Sequence, residues 1–203
     1  MAITLQKGQR IDLTKGNPGL AKVLVGLGWD PVESKQSKGF FGSLFGGGSS
    51  GANIDCDASV LMLENDRFTQ KEHLIYFGNL KSKCGGVNHT GDNLTGEGDG
   101  DDEQIIIDLQ RVPSNINKLV FVVNIYDAVR RNQDFGMIQN AFIRVVNMNN
   151  QEELIKFNLS ENYSGKTSLL VAEMYRYEQD WKFAAVGTGT NDKGLEELIR
   201  HYT

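Results

Sequence analysis

The chain has 203 residues with a formal net charge of −5, and 39% of its residues are hydrophobic and 23% charged. These proportions are ordinary for a soluble globular protein, and they exclude a membrane-spanning chain because no window approaches ~18 apolar residues. The first residues lack the basic start and apolar core of a secretory signal. We therefore expect a cytoplasmic protein, and two distant cysteines, Cys56 and Cys84, fit a reducing compartment.

Short strands separated by turn residues recur along the chain. About eleven segments alternate polar and apolar residues or are rich in β-branched residues. They are residues 3–5, 10–13, 21–27, 54–63, 73–77, 103–109, 118–126, 141–148, 153–158, 168–177 and 181–186. Only residues 193–202 have the apolar period of an amphipathic helix. Many close strands without intervening helices predict a two-sheet antiparallel β-sandwich, a single domain over residues 1–203 with a short C-terminal helix.

One interval, residues 34–51, departs from the strand pattern. It is rich in glycine and serine but also contains Phe40, Phe41, Leu44 and Phe45. Glycine and serine provide flexibility, so we predict a mobile loop between two strands. The alternative is an apolar tag that docks on a partner protein, a neighbouring subunit or a membrane surface.

Acidic residues are concentrated in one part of the chain. Between Cys84 and Gln110 there are seven carboxylates and no Lys or Arg, so the rest of the chain would be net positive without them. Most of them lie in residues 91–103, which we call the acidic segment, where they are interspersed with glycine. Carboxylates this close repel one another unless a cation or a set of backbone donors holds them together. We interpret the acidic segment as a calcium loop, against the alternative of a solvated acidic turn.

The donor atoms of the acidic segment decide which metal to expect. Carboxylate, amide, hydroxyl and backbone oxygens suit Ca²⁺, which takes about six to eight oxygen ligands, and suit zinc or copper poorly. Mg²⁺ is the closer rival, but its near-octahedral geometry fits a flexible, carboxylate-rich loop less well. No register satisfies the EF-hand pattern, and the run at residues 103–109 predicts a following strand. Cys84 with His89 is too sparse for a zinc site.

The strand predicted at residues 54–63 carries acids on one face. Alternation places Asp55, Asp57 and Ser59 on that face and Cys56 on the core face. Two neighbouring carboxylates are unfavourable unless both face water or a shared cation, and Asp30 is a third acid of this kind. We expect these three acids to approach the acidic segment and complete one or two Ca²⁺ sites, although solvated acids at strand ends are the alternative.

Five segments, taken together, carry a family signature. They are residues 25–30, 54–59, 89–103, 140–144 and 181–187. In sequence and order they closely resemble the signature segments of the TerD family, the tellurium-resistance and general-stress proteins of bacteria. The resemblance implies a cytoplasmic β-sandwich that binds Ca²⁺, taken here as two ions, with a role in resistance to tellurite and other chemical stress, or to phage and colicins.

The resemblance also implies a set of metal ligands. Carried over by motif, the candidates are Asp30, Asp55, Asp57, Asp92, Asn93, Thr95, Glu97, Gly98, Asp99, Asp101, Asp102 and Glu103. The chain departs from the family at Cys56, where an apolar residue is usual, and in its longer Gly/Phe-rich stretch between Pro31 and Ala52.

The sequence offers little for catalysis. None of its histidines, His73, His89 and His201, lies beside a plausible Ser or Cys nucleophile, and two distant cysteines supply no thiol pair for tellurite reduction. We therefore expect a Ca²⁺-dependent binding or scaffold module and not an enzyme. The alternative is a phosphoester hydrolase that holds two Mg²⁺ or Mn²⁺ ions about 4 Å apart.

The expected partners follow from charge. An acidic metal face without a stripe of Lys and Arg argues against nucleic acid. The resemblance points instead to protein partners in a stress-response complex, with association at a membrane as the alternative. The oligomeric state does not follow from the sequence.

Overall fold

The computed structural model describes residues 2–32, 54–91 and 100–203, which form two six-stranded sheets. The strands of sheet 1, in spatial order, are β1 (Ile3–Leu5), β10 (Glu152–Asn158), β9 (Ile138–Asn147), β3 (Lys22–Pro31), β7 (Glu103–Asp108) and β6 (Val87–His89). The strands of sheet 2 are β2 (Arg10–Asp12), β12 (Asp180–Thr190), β11 (Ser168–Tyr177), β8 (Ile116–Ile125), β4 (Cys56–Glu64) and β5 (Leu74–Ile75). Neighbouring strands are antiparallel except β1 and β10, which are parallel. The predicted β-sandwich is confirmed.

The main core lies between the two sheets. Alternate residues of each strand point into it, as Val23, Val25 and Leu27 of β3 and Ile105 and Ile107 of β7 show. Burial of these apolar side chains is the main favourable contribution to folding. The predicted core position of Cys56 is also confirmed, since its side chain is buried in the same cluster.

Two short helices accompany the sheets. Helix α1 (Ala128–Arg131) follows β8, and helix α2 (Leu195–Ile199) lies near the C-terminus, where a 3-10 turn at Arg200–Tyr202 continues it. The amphipathic helix predicted at residues 193–202 is therefore confirmed. No helix in the described part of the chain is long and apolar enough to cross a membrane.

Sheet 2 buries apolar residues on its outer face as well, the face turned away from sheet 1. Leu61 and Leu63 of β4 and Val120 of β8 form a second buried cluster with Leu198 of α2. Tyr202 packs against the same cluster. Helix α2 thus lies on sheet 2 as a third layer over part of its surface.

The predicted strands differ from the observed ones mainly in length. Each of the eleven predicted segments contains a strand, but only Leu74–Ile75 of residues 73–77 pair, because a tight turn from Tyr76 to Asn79 follows at once. Strand β6 was not predicted, since three residues are too few to show an alternating pattern. The Gly/Phe-rich stretch at residues 34–51 lies outside the described residues.

Candidate metal centre

The end of the acidic segment crosses the outer face of sheet 1 above two glycines. Gly26 and Gly28 face outward from β3, and a Cβ atom at Gly26 would lie only 2.2 Å from the carboxylate of Asp101. A Cβ atom at Gly28 would lie 2.6 Å from the carbonyl oxygen of Gly100. Only glycine leaves room for this crossing, so the two positions determine where the segment lies.

Asp101 anchors the crossing through Arg144 of the neighbouring strand β9. Arg144 Nε lies 2.7 Å from Asp101 Oδ1, and Arg144 Nη2 lies 2.9 Å from Oδ2. Gln104 Nε2 donates to the same Oδ2 at 3.1 Å, and the Asp101 side chain is fully buried. The hydrogen bonds to Asp101 raise the pKa of Arg144 against the opposing effect of its own burial. Both oxygens of Asp101 are therefore bound by protein groups, and this candidate ligand holds the segment on the sheet.

Asp102 is hydrogen-bonded to the backbone of β3. Its N–H donates to Leu27 O at 2.8 Å, and its carboxylate accepts from the N–H of Trp29 at 2.7 Å. Burial raises the pKa of Asp102 most, the Trp29 hydrogen bond opposes that rise, and the charges of Asp30 and Asp101 add to it. Three of the candidate ligands therefore lie close enough together to repel one another.

Asp30 lies beside the same crossing. Its Oδ2 accepts from Asn140 Nδ2 at 2.8 Å, and its side chain lines a cavity of about 500 Å³ together with Gly100. Lys156 lines the cavity too, with its ammonium 4.5 Å from the ring centre of Phe142. The structure thus places Asp30 beside the end of the acidic segment, and its role as a metal ligand stays a prediction.

Two residues connect the acidic segment to sheet 2: Glu103, its last residue, and His89, which lies two residues before its start. Glu103 Oε2 accepts from the N–H of Ala58 in β4 at 2.6 Å, and His89 Nε2 lies 3.2 Å from Ala58 O and 3.4 Å from Glu103 Oε2. The N–H of Gly91 donates to His89 Nδ1 at 3.1 Å, so the ring proton is on Nε2. We call this arrangement the Ala58 clasp. It satisfies the N–H and C=O groups of Ala58 on the edge of β4 where, among the described residues, strand β5 pairs only with Val60 and Leu61.

Asp57 lies on strand β4, and Asp55 lies just before it. Asp55 Oδ2 is 3.7 Å from Arg131 Nη1, and Asp57 lies opposite Asn124 in the register of β4 and β8. Asp57 is only 4% exposed. The alternative interpretation of these residues as solvated acids is therefore wrong for Asp57.

Cys56 lies within electrostatic range of four carboxylates. Burial raises the pKa of its thiol well above the usual range, and the charges of Asp57, Glu103, Asp55 and Asp102 raise it further. Two of these acids come from sheet 1 or its edge and two from the β4 region of sheet 2. Acids of both sheets thus act on one buried thiol, which stays protonated and unreactive.

The described acids do not complete a metal site by themselves. Within residues 2–32, 54–91 and 100–203, no three His, Cys, Asp or Glu side chains converge on a position for a metal ion. Six further candidate ligands lie outside these ranges: Asp92, Asn93, Thr95, Glu97, Gly98 and Asp99. The donor set that the described acids present is entirely oxygen, which fits Ca²⁺ and not zinc.

Sequence reasoning missed two positioning residues. Arg144 lies in a recognised segment, but nothing local indicates that its guanidinium binds Asp101, which is 43 residues away. His89 lies two residues before the acidic segment, but nothing local indicates that its ring contacts Ala58 and Glu103. Arg144 lies opposite Gly26 in the register of β3 and β9, and this pairing follows from the strand order and not from the local sequence.

Comparisons with known proteins agree with this architecture. The family model of the TerD domain matches residues 1–202. Stress response protein SCP2 of Bacillus subtilis (strain 168) is 71% identical over 202 residues, covering 100% of both chains. Tellurium resistance protein TerD of Serratia marcescens is 43% identical over 203 residues, covering 100% of this chain and 97% of the relative.

A solved structure shares the fold. A homologue of telluride resistance protein TerD from Streptomyces coelicolor A3(2) superposes with a TM-score of 0.60 at 22% sequence identity, covering 86% of this chain and 92% of the other. The resemblance in sequence, the family model and the fold agree. The chain therefore belongs to the TerD domain family.

Proposed function

We propose that this protein is a bacterial stress-response protein of the tellurium-resistance type that binds calcium, two ions in all, and acts as a Ca²⁺-dependent binding or scaffold module in the cytoplasm. The stress-response part of the proposal is supported by relatives that align with the whole chain and carry the names stress response protein and tellurium resistance protein. The calcium part is supported by the chemistry at the end of the sandwich.

The observation that carries the calcium proposal is the crossing of the acidic segment over β3, which places Asp101 over Gly26, Asp102 at Trp29 and Gly100 beside Asp30. Asp30 and Asp101 add to the raised pKa of Asp102, and four acids raise the pKa of Cys56. Like charges held this close destabilise the fold unless a cation lies among them. A hard dication with a high coordination number offsets several carboxylates at once.

The described residues divide into two proposed roles. Asp30, Asp55, Asp57 and Asp102 are proposed as ligands, together with the candidates in the acidic segment. Asp101 is proposed to position the segment, because both of its oxygens are bound by Arg144 or Gln104. Glu103 is also proposed to position the segment, because its carboxylate accepts a hydrogen bond from Ala58 N–H and lies beside His89 in the Ala58 clasp.

We propose no catalytic role for the metal. The loaded protein would present a surface to other proteins of a stress-response complex, and its shape would depend on calcium because the ion joins carboxylates from two sheets. The hydrolase alternative requires phosphoester turnover with Mg²⁺ or Mn²⁺, which an activity assay with a chromogenic phosphoester tests directly.

Calorimetric titration of Ca²⁺ and Mg²⁺ into chelator-treated protein tests the calcium proposal. We expect two Ca²⁺ ions per chain, much weaker Mg²⁺ binding, and, for a regulatory site, dissociation constants of about 10⁻⁷ to 10⁻⁵ M. Asp102→Asn should weaken the binding, whereas Glu178→Gln, an exposed acid in the turn between β11 and β12, should leave it unchanged. Absence of Ca²⁺ binding at millimolar concentration, or equal binding by Asp102→Asn and wild type, would contradict the proposal.

A further inference from the structure

A second cavity of about 860 Å³ lies on the outer face of sheet 2, beside the part that α2 covers. It is bounded by α2 on one side and by the turn that follows β5 on the other, and residues of β4 and β8 form its floor. Its volume is in the range of small-molecule sites, and it belongs to no part of the candidate metal centre except through Asp57.

The floor of this cavity is polar where the neighbouring sheet surface is apolar. Asp57 of β4 lies opposite Asn124 of β8, and both line the cavity. Ser59 follows on the same face of β4 but does not line it. All three are buried, at 4%, 6% and 0% exposure. Two residues further along, Leu61 belongs to the apolar cluster beneath α2. Buried polar side chains cost free energy when they lack hydrogen bonds, so these residues are not explained by packing of the sheet surface.

Two oxygen atoms of this row have no hydrogen-bond partner within the described ranges. They are Asn124 Oδ1 and Ser59 Oγ. A buried polar atom without a partner costs about 1–3 kcal/mol, and most buried polar groups in native proteins are therefore paired. Asn124 lines the cavity, so a ligand in the cavity that brings an N–H group can satisfy its oxygen.

Aromatic rings form the walls above this floor. Tyr76, Phe77 and Tyr126 line the cavity, and Phe77 and Tyr126 are 44% and 47% exposed. A cation already lies over the ring of Tyr126: the guanidinium carbon of Arg131 is 5.1 Å from the ring centre. Aromatic faces attract ammonium and guanidinium groups through their negative quadrupole, most strongly where water is excluded.

The charged residues around the cavity are mainly acidic. Four acids line it, Asp57, Asp127, Glu196 and Glu197, and two lysines, Lys71 and Lys193, oppose them. Asp127 is paired with Arg130, which leaves three acids against the two lysines. An excess of negative charge raises the local concentration of cations and disfavours anions. The cavity has oxygen acceptors on its floor, aromatic rings on its walls and an excess of acids among its lining residues. All three features favour a cationic ligand.

We propose that this cavity is a binding site for a small organic cation that bears an ammonium or guanidinium group. The cationic head donates hydrogen bonds to Asn124 Oδ1 beside the carboxylate of Asp57, and its aliphatic part lies between Tyr76, Phe77 and Tyr126. A metal ion alone makes no use of the aromatic walls, and a neutral apolar ligand leaves Asn124 Oδ1 without a donor.

Binding of butylguanidinium, measured by calorimetry both in chelator and in saturating calcium because Asp57 is also a proposed calcium ligand, tests the proposal. Butylurea is the matched neutral probe, since it has nearly the same shape without the charge. We expect butylguanidinium to bind at least about tenfold more tightly than butylurea, because charge and cation–π attraction both favour it. Equal affinity for the two probes, or no binding of butylguanidinium at millimolar concentration, would overturn the proposal.

Two substitutions locate the site. Tyr126→Leu should weaken butylguanidinium binding about tenfold by removing an aromatic wall. Its matched control is Tyr177→Leu, which removes another half-exposed tyrosine that has a cation, Lys182, over its ring but does not line the cavity. Asn124→Leu should abolish binding, and Tyr126→Leu keeps the test valid should that buried substitution unfold the protein. Unchanged binding by Tyr126→Leu would overturn the assignment of the site.

The source of the cation is tested with a second pair of probes. Agmatine represents a free metabolite, and Nα-acetyl-argininamide represents an arginine side chain of a protein. We expect agmatine to bind at least as tightly, because the cavity has the volume of a small-molecule site. Tighter binding of the argininamide by about tenfold or more would overturn the small-molecule source.

Discussion

The outer faces of the two sheets are covered in physically different ways. On sheet 1 the end of the acidic segment lies over Gly26 and Gly28 and is held by the ion pair of Asp101 with Arg144. On sheet 2 the helix α2 lies over an apolar cluster through Leu198. A covering held by charged groups depends on ions and on exact partners, whereas one held by apolar burial does not. We therefore expect the covering of sheet 1 to change with calcium and the packing of α2 on sheet 2 to be independent of it.

The largest expected effect is on the apolar covering. Leu198→Ala should lower the free energy of unfolding by about 2–5 kcal/mol, because it removes a fully buried side chain and leaves a cavity. Urea unfolding followed by circular dichroism measures this. Val129→Ala, at a position 61% exposed, is the control and should change stability by less than about 0.5 kcal/mol. The loss in Leu198→Ala should be the same with calcium and with chelator, and a strong dependence on calcium would contradict the comparison.

Calcium removal should act on the other covering. An ion that binds only the folded protein stabilises it by about 2.7 kcal/mol at a hundredfold excess over its dissociation constant. Chelator should therefore lower the melting temperature by several degrees, and magnesium should restore little of it. Differential scanning calorimetry provides the measurement. Identical melting curves in calcium and in chelator would show that the carboxylates around Asp102 are held together without an ion.

A smaller effect is expected from the anchor of the acidic segment. Arg144→Lys keeps the positive charge but loses the paired hydrogen bonds to Asp101, so it should cost about 1–3 kcal/mol and weaken calcium binding. Lys182→Arg changes a basic residue on sheet 2 and is the control. A double-mutant cycle of Arg144→Lys with Asp101→Asn should give a coupling energy above about 0.5 kcal/mol. Additive effects would mean that the ion pair does not position the segment.

The smallest expected effect concerns alkaline pH and the end of the apolar covering. Burial raises the pKa of Tyr202 to about 12, and the charge of Glu173 adds to the rise. A raised folded pKa stabilises the fold fully below the unfolded value of about 10, and this stabilisation is lost as pH rises towards 12. Tyr202→Phe should reduce the loss of stability across that interval. Spectroscopic titration should show one fewer phenol ionising near pH 12, and a missing phenol near pH 10 instead would contradict the burial of Tyr202.

The strand pattern was accessible from sequence because it is a local property. Alternation in residues 21–27 and 54–63 predicts which side chains enter the core, and Val25 and Cys56 are indeed buried there. The helix at the C-terminus follows from its own apolar period. What failed were short pairings such as β6, whose three residues pair only because β7 lies beside them.

The candidate metal centre was accessible only in part. The acidic segment and the acids Asp30, Asp55 and Asp57 stand out by composition, and the structure places Asp30 near Gly100 and Asp55, Asp57 and Asp102 within electrostatic range of Cys56. The separate role of Asp101 was not visible, because the guanidinium that binds it comes from another strand. Composition identifies which side chains are acidic, but it does not identify their partners.

The sequence by itself determined the β-sandwich, the core face of each long strand, the apolar helix and the place of the acidic segment in the chain, because all of these depend on residue order over a few neighbours. Only the tertiary structure decided that Arg144 holds Asp101, that His89 and Glu103 clasp Ala58, and that Asn124 lies beside Asp57 beneath an aromatic cavity. These contacts join residues far apart in the chain. Their formation depends on strand order and register, which are set by the packing of both sheets together.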